Sequence, residues 1–134
     1  MNLTNGVDLV EISRIERALD RFGDRFLQRV FSDAEIARSR RRPAELAARF
    51  AAKEAVAKAL GVGMAILSPL GIAWHDVETL NEPSGKPYLV LYGRARALAE
   101  EQELARWSVS LTHDGGFAVA FVVAWGSSSR EREE

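Results

Sequence analysis

Charge sits where its neighbours argue against it at four positions. Asp8 is the one acid in the apolar run Gly6-Val7-Asp8-Leu9-Val10, and Lys53, Glu54 and Lys58 interrupt the alanine-rich stretch FAAKEAVAKALG, residues 50–61. Charged side chains are seldom fully buried without partners. In a helix Phe50, Glu54 and Lys58 follow at i, i+4, i+8 and share a face. The plain account is an exposed Glu–Lys pair worth ~0.3–0.5 kcal/mol, with Asp8 capping a turn or meeting an arginine. The chemical account joins them: two carboxylates from two elements suit a hard cation such as Mg²⁺, which keeps waters and completes its shell with substrate phosphate oxygens. Lys58, one turn beyond Glu54, would hold a phosphate oxygen near that ion. Both accounts stand on spacing alone; the second points to a phosphate-bearing substrate.

His113 ends an alternating run, SVSLTH, just before Asp114-Gly115-Gly116. A strand end beside a turn is a common place for a site residue, although a lone histidine there is also a common structural one. His75 has less context and reads as structural. Arg14, Arg17, Arg21 and Arg25 are spaced 3, 4 and 4, a basic stripe if helicity continues through Gly23. Such a stripe is a solvated face or a dock for an acidic helix. Arg40, Arg41 and Arg42 could serve likewise. The net charge of −1 argues against nucleic acid.

The elements that must position these residues can be read from pattern. Residues 3–12 read as a strand apolar on both sides of its alternation except at Asp8, as a doubly buried strand is. Ser13-Arg14-Ile15-Glu16 has the form of a capping box and predicts a helix from there to Phe22, with a short helical piece over residues 25–30. Ser32-Asp33-Ala34-Glu35 is a second box, opening a helix that ends in the basic run 38–42. Pro43 suits the first position of a long helix reaching Leu60, and Gly61 suits its end. Residues 72–80 and 88–92 read as strands around the turn-rich NEPSGKP, and 94–104 as a helix. Trp107-to-His113 and Phe117-to-Trp125 alternate around the DGG turn, a hairpin signature. The expected fold class is α+β, a mostly antiparallel sheet packed on one long helix.

The 134 residues are 47% hydrophobic with a net charge of −1 and no cysteine. That predicts one domain over residues 1–126 with a polar tail at 127–134. Disulfides and thiolate metal sites are excluded, and no overall field recruits nucleic acid or membrane. The N-terminus lacks a signal-peptide pattern, so the expected location is cytoplasmic.

GVDLVEI near the N-terminus, RFAAKEAVAKALG (49–61), GKPYL (85–89) and SVSLTHDGGFAVAFVV (108–123), in this order and at these intervals, resemble the holo-[acyl-carrier-protein] synthases. These are the small members of the 4′-phosphopantetheinyl transferase superfamily. The similarity covers about residues 3–126, and its specificity lies in the combination of motifs. It implies transfer of phosphopantetheine from coenzyme A to a serine of apo-acyl carrier protein, releasing adenosine 3′,5′-bisphosphate, in fatty acid biosynthesis. Asp8 and Glu54 match the family's Mg²⁺ ligands, and Lys58 the lysine that approaches the diphosphate. Arg49 and His113, with Thr112 beside it, match residues near the 3′-phosphate, and Pro87 falls where the family lines the adenine pocket. Lys53 matches the motif lysine, with a role between phosphate contact and support.

The larger, two-halved transferases carry an acid two positions after the motif aspartate. Here that position is Val10, so a water replaces the third protein ligand. The resemblance also implies a homotrimer with sites between subunits, Asp8, Glu54 and Lys58 from one chain and Thr112 and His113 from its neighbour. Strand 117–124 is a candidate for the trimer core. Glu54, directly or through water, is the candidate base for the serine hydroxyl. Arg14, Arg17 and Arg21 gain a partner, the acidic helix of the carrier. The alternatives are a non-catalytic module that docks acidic carrier helices without turnover, and a different Mg²⁺–nucleotide enzyme. A binding module has no need for the full set of Asp8, Glu54, Lys58 and His113, and the third reading leaves the basic stripe without a purpose.

Overall fold

The computed structural model describes residues 1–66 and 68–128. Most of the expected tail lies outside the described residues. Strand β1 (Asn2–Glu11) runs into helix α1 (Ile12–Phe22), followed by α2 (Asp24–Val30), α3 (Asp33–Ser39) and the long α4 (Pro43–Leu60). A 3-10 turn at Trp74–Asp76 leads into β2 (Val77–Asn81), β3 (Pro87–Leu91), α5 (Gly93–Glu101), β4 (Arg106–Asp114) and β5 (Phe117–Gly126). All strand pairs are antiparallel: β1-β5-β4 form one sheet and β2-β3 a hairpin. The expected α+β arrangement is the one adopted.

Small residues explain how α4 lies so close on the sheet. Ala118, Ala120, Val122 and Ala124 of β5 are wholly buried, as are Ala51, Ala52 and Ala55 of α4. At Gly6 of β1 the approach is closest, since an added Cβ would lie 2.0 Å from the Ala55 carbonyl oxygen. Helix α4 is buried on nearly every side, as a helix apolar all round must be. The alternation of β5 therefore points its small residues inward. The opposite face carries Leu3, Val7, Leu9, Phe117 and Phe121, all exposed. Within one chain β1 is buried on one face, where its pattern predicts two.

Three local expectations are corrected. Ser13 does not cap α1: the helix starts one residue earlier, and the Ile12 N–H donates to the Gly116 carbonyl at 2.9 Å, while Ser13 Oγ accepts from Arg17 Nη1 at 3.4 Å. Glu11 pairs with Phe117, so the β4–β5 turn sits at the helix start and supplies the acceptor a serine would have offered. Gly23 (φ +53) separates α1 from α2, which ends the arginine stripe of α1 at Arg21. The strand expected over residues 72–80 begins only at Val77, because Asp76 folds the chain by accepting the Ala73 N–H at 3.0 Å. The Ser32 box forms as expected, with Glu35 N–H donating to Ser32 Oγ at 3.2 Å and Ser32 N–H to Glu35 Oε1 at 2.9 Å.

Candidate active site

Asp8 lies between Gly6 and Val10 on the face of β1 that meets α4, and Glu54 and Lys58 occupy facing turns of that helix. Lys58 Nζ stands 2.9 Å from Asp8 Oδ1 and donates also to the Val7 carbonyl at 3.0 Å. Asp8 is nearly enclosed while Lys58 is 54% exposed, so the ammonium arrives from the solvent side. Glu54 is half-buried, and its carboxyl is pushed above the ordinary carboxylate range by burial first and by the charge of Asp8 second. Arg14 and Lys58 pull the other way.

A half-buried carboxyl whose ionisation the charge of Asp8 disfavours, beside a second carboxylate held by an exposed lysine, forms a site that a divalent ion fits. Among the described residues no group of three or more His, Cys, Asp or Glu side chains converges. The protein's offer is thus the pair, and a hard ion held there would take the rest of its oxygens from elsewhere.

Arg14 reaches this centre from α1. Its guanidinium carbon lies 5.1 Å from the centroid of the Phe50 ring, which packs at 4.7 Å against Trp74. Arg17 and Arg21 are exposed on the same helix, Arg21 over the Phe22 ring at 5.1 Å. The stripe therefore borders the carboxylate pair at its Arg14 end.

Arg49 and Lys53 turn away from Glu54. Lys53 is fully enclosed: its ammonium pairs with Glu35 Oε1 at 2.9 Å and donates to the Trp74 carbonyl at 3.0 Å and to the Val77 carbonyl. All three of its protons are spent inside the core, an arrangement that suits support, the second of the two roles its motif left open. The signal for its partner was present only as a capping-box glutamate; Glu35 also accepts the Thr79 N–H, at 3.0 Å. Arg49 is 2% exposed and bonded to Glu45 and Asn81. Pro87 pairs with Asn81 at the base of the β2–β3 turn, so Arg49 and Pro87 meet through that asparagine. Beside α4's first turn a concavity of about 500 Å³ is lined by Ala37, Arg38, Arg40, Arg42 and Glu45. Its excess of guanidinium groups suits an anion.

Thr112 and His113 are exposed at the end of β4. His113 pairs with Ala118, which pairs with Val10, two strand spacings or roughly 9.6 Å from β1. Thr112 faces the other side of the sheet. Within one chain the fold does not bring either residue to Asp8, Glu54 and Lys58. His75 Nε2–H donates to the Gln28 carbonyl at 2.7 Å and ties the 3-10 turn to helix α2.

A family model described as the 4′-phosphopantetheinyl transferase superfamily matches residues 5–122. A holo-[acyl-carrier-protein] synthase of Herpetosiphon aurantiacus is 49% identical over 126 residues, covering 92% of this chain and 99% of that protein. The crystal structure of the Helicobacter pylori holo-[acyl-carrier-protein] synthase in complex with coenzyme A superposes with a TM-score of 0.80 at 33% identity, over 90% of this chain and 99% of that one. A Chronobacterium ammoniagenes synthase–coenzyme A complex gives 0.78 at 31%, over 96% and 100%. Family model, relatives and fold agree: this chain belongs to the holo-[acyl-carrier-protein] synthases of the 4′-phosphopantetheinyl transferase superfamily.

Proposed function

We infer that this chain carries out its family's reaction, moving the 4′-phosphopantetheine group of coenzyme A onto a serine of an apo-acyl carrier protein. The serine oxygen forms a bond to the phosphorus that bears pantetheine, and the anhydride P–O bond breaks. Adenosine 3′,5′-bisphosphate leaves with the electron pair, and the serine proton passes to a base. The observation that carries this reading is the meeting of Asp8, Glu54 and Lys58 between β1 and α4, with Glu54 raised by burial and by Asp8.

Asp8 and Glu54 would hold Mg²⁺, which when bound neutralises charge on the diphosphate and on the departing bisphosphate. The other steps fall to the chain's own groups. Lys58 reaches the site from solvent and can exchange Asp8 for an anionic donor oxygen. Glu54 takes the serine proton, directly or through one water. Incubation with coenzyme A, Mg²⁺ and an apo-acyl carrier protein tests this: the intact mass of the carrier should rise by one phosphopantetheine group, and an unchanged mass overturns it.

Carrier docking falls to Arg14, Arg17 and Arg21. Reversing Arg14 and Arg21 to Glu should raise KM for the acidic carrier by about tenfold or more through lost attraction and added repulsion. KM for coenzyme A should stay within about twofold. Equal effects on both would count against docking.

The exposed apolar face of β1 and β5 supports self-association as a homotrimer, since monomers rarely expose a contiguous apolar patch of this kind. In that assembly Thr112 and His113 come to the site from the neighbour. Phe121→Lys, at the centre of the face opposite Val7, should give a single-chain mass by sedimentation where the parent gives three, with transfer lost alongside.

A further inference from the structure

The family resemblance assigns Arg49 to the 3′-phosphate of coenzyme A and Pro87, next to Lys86 at the β2–β3 turn, to its adenine. Yet the Arg49 guanidinium is enclosed. Nη1 donates to the Glu45 carbonyl at 3.1 Å and to Glu45 Oε2 at 3.0 Å, and Nη2 donates to Asn81 Oδ1 at 3.1 Å. Asn81 passes the contact on, its Nδ2 donating to the Gly85 carbonyl at 2.9 Å. A carboxamide suits this post because it accepts from a guanidinium with one atom and donates to a carbonyl with the other. The adjacent positive charge polarises the amide and strengthens its second bond.

What is held this way is the turn itself. The Gly85 N–H donates to the Glu82 carbonyl at 2.8 Å and the Glu82 N–H to the Lys86 carbonyl at 2.9 Å. Gly85 sits at φ +94, a conformation that favours glycine. A Cβ there would stand 3.8 Å from Arg38 Nη2, and Arg38 lines the guanidinium-rich concavity. The chain of contacts from Glu45 through Arg49 and Asn81 to Gly85 thus fixes where Lys86 and Pro87 stand relative to that concavity.

We propose that Asn81 is a positioning residue for the nucleotide end of the donor, setting the β2–β3 turn against α4 while taking no part in phosphoryl transfer. The proposal rests on the functional reading above. Asn81→Ala should weaken binding of adenosine 3′,5′-bisphosphate by about tenfold in calorimetry, and raise KM for coenzyme A in parallel. The same variant should leave kcat at saturating donor and KM for the carrier within about twofold. Gly85→Ala strains the same turn, and the double variant should bind the bisphosphate no worse than about twofold below the weaker single, because both act through one geometry.

A fall in melting temperature with unchanged bisphosphate binding would make Asn81 merely structural and overturn the proposal, as would fully additive losses in the double variant. A parent chain that leaves the carrier unmodified removes the functional reading and this proposal with it. A working parent with unaffected variants removes this proposal alone.

Discussion

Glu54→Gln is expected to lower kcat by about 10²–10⁴ while leaving the fold intact. The substitution conserves shape and removes only the charge that a divalent ion and the serine proton both require. The same variant should be more stable than the parent when no divalent ion is added. Glu54's folded pKa lies above the ordinary carboxylate range through burial and then Asp8, so the native state holds that proton more tightly than the unfolded chain. Its contribution to stability is therefore fully present below the unfolded pKa and lost as pH rises through the folded value. Glutamine has no such loss. Denaturant midpoints should favour the variant at pH 7.5, and that advantage should shrink towards pH 4. Added Mg²⁺ should raise the parent's midpoint more than the variant's. A variant that is less stable at every pH, or that retains transfer, would contradict this account.

Activity and stability pull in opposite directions at Glu54 for the reason that made the site legible in sequence. A carboxylate costs least among charges and water, and Glu54 and Asp8 stand among alanines and valines. The long helix and the hairpin were legible because residues 43–60 and 107–125 keep their helical and alternating patterns throughout. What did not show was non-local. The cap of α1 comes from Gly116, about a hundred positions away, and no local pattern at Ser13 reports it. The alternation of β5 marks two faces without saying which is inward: hydrophobicity favours Phe117 and Phe121, but Gly6 and the alanines of α4 admit only the small-residue face. The large apolar face is left for another surface, which fits the expected association better than the monomer's own core. Asn81 was invisible because it lies in a turn-rich stretch, where asparagine is common for local reasons alone.

Lys53→Met is expected to destabilise the fold by about 3–5 kcal/mol, because it leaves the Glu35 carboxylate buried without its counter-ion. Burial pushes the Lys53 ammonium below the usual lysine range even with Glu35 beside it, and buried pairs of this kind contribute little net stability because desolvation offsets their attraction. The pair's role is geometric. One ammonium and one carboxylate join α4 to the Trp74 and Val77 carbonyls, to the Thr79 N–H and to the start of α3. The double variant Lys53→Met/Glu35→Gln removes both charges while keeping an acceptor near Ser32 and Thr79, and should recover a substantial part of the single variant's loss in urea titration. A lysine that touched donor phosphates would instead raise KM for coenzyme A with little change in stability. Kinetics on the folded fraction at low temperature separate the two: with a supporting lysine, KM for coenzyme A stays within about twofold while the urea midpoint falls. The charge at position 53 would then belong to the scaffold, and the charges at 8, 54 and 58 to the chemistry, although all but Asp8 lie on one helix.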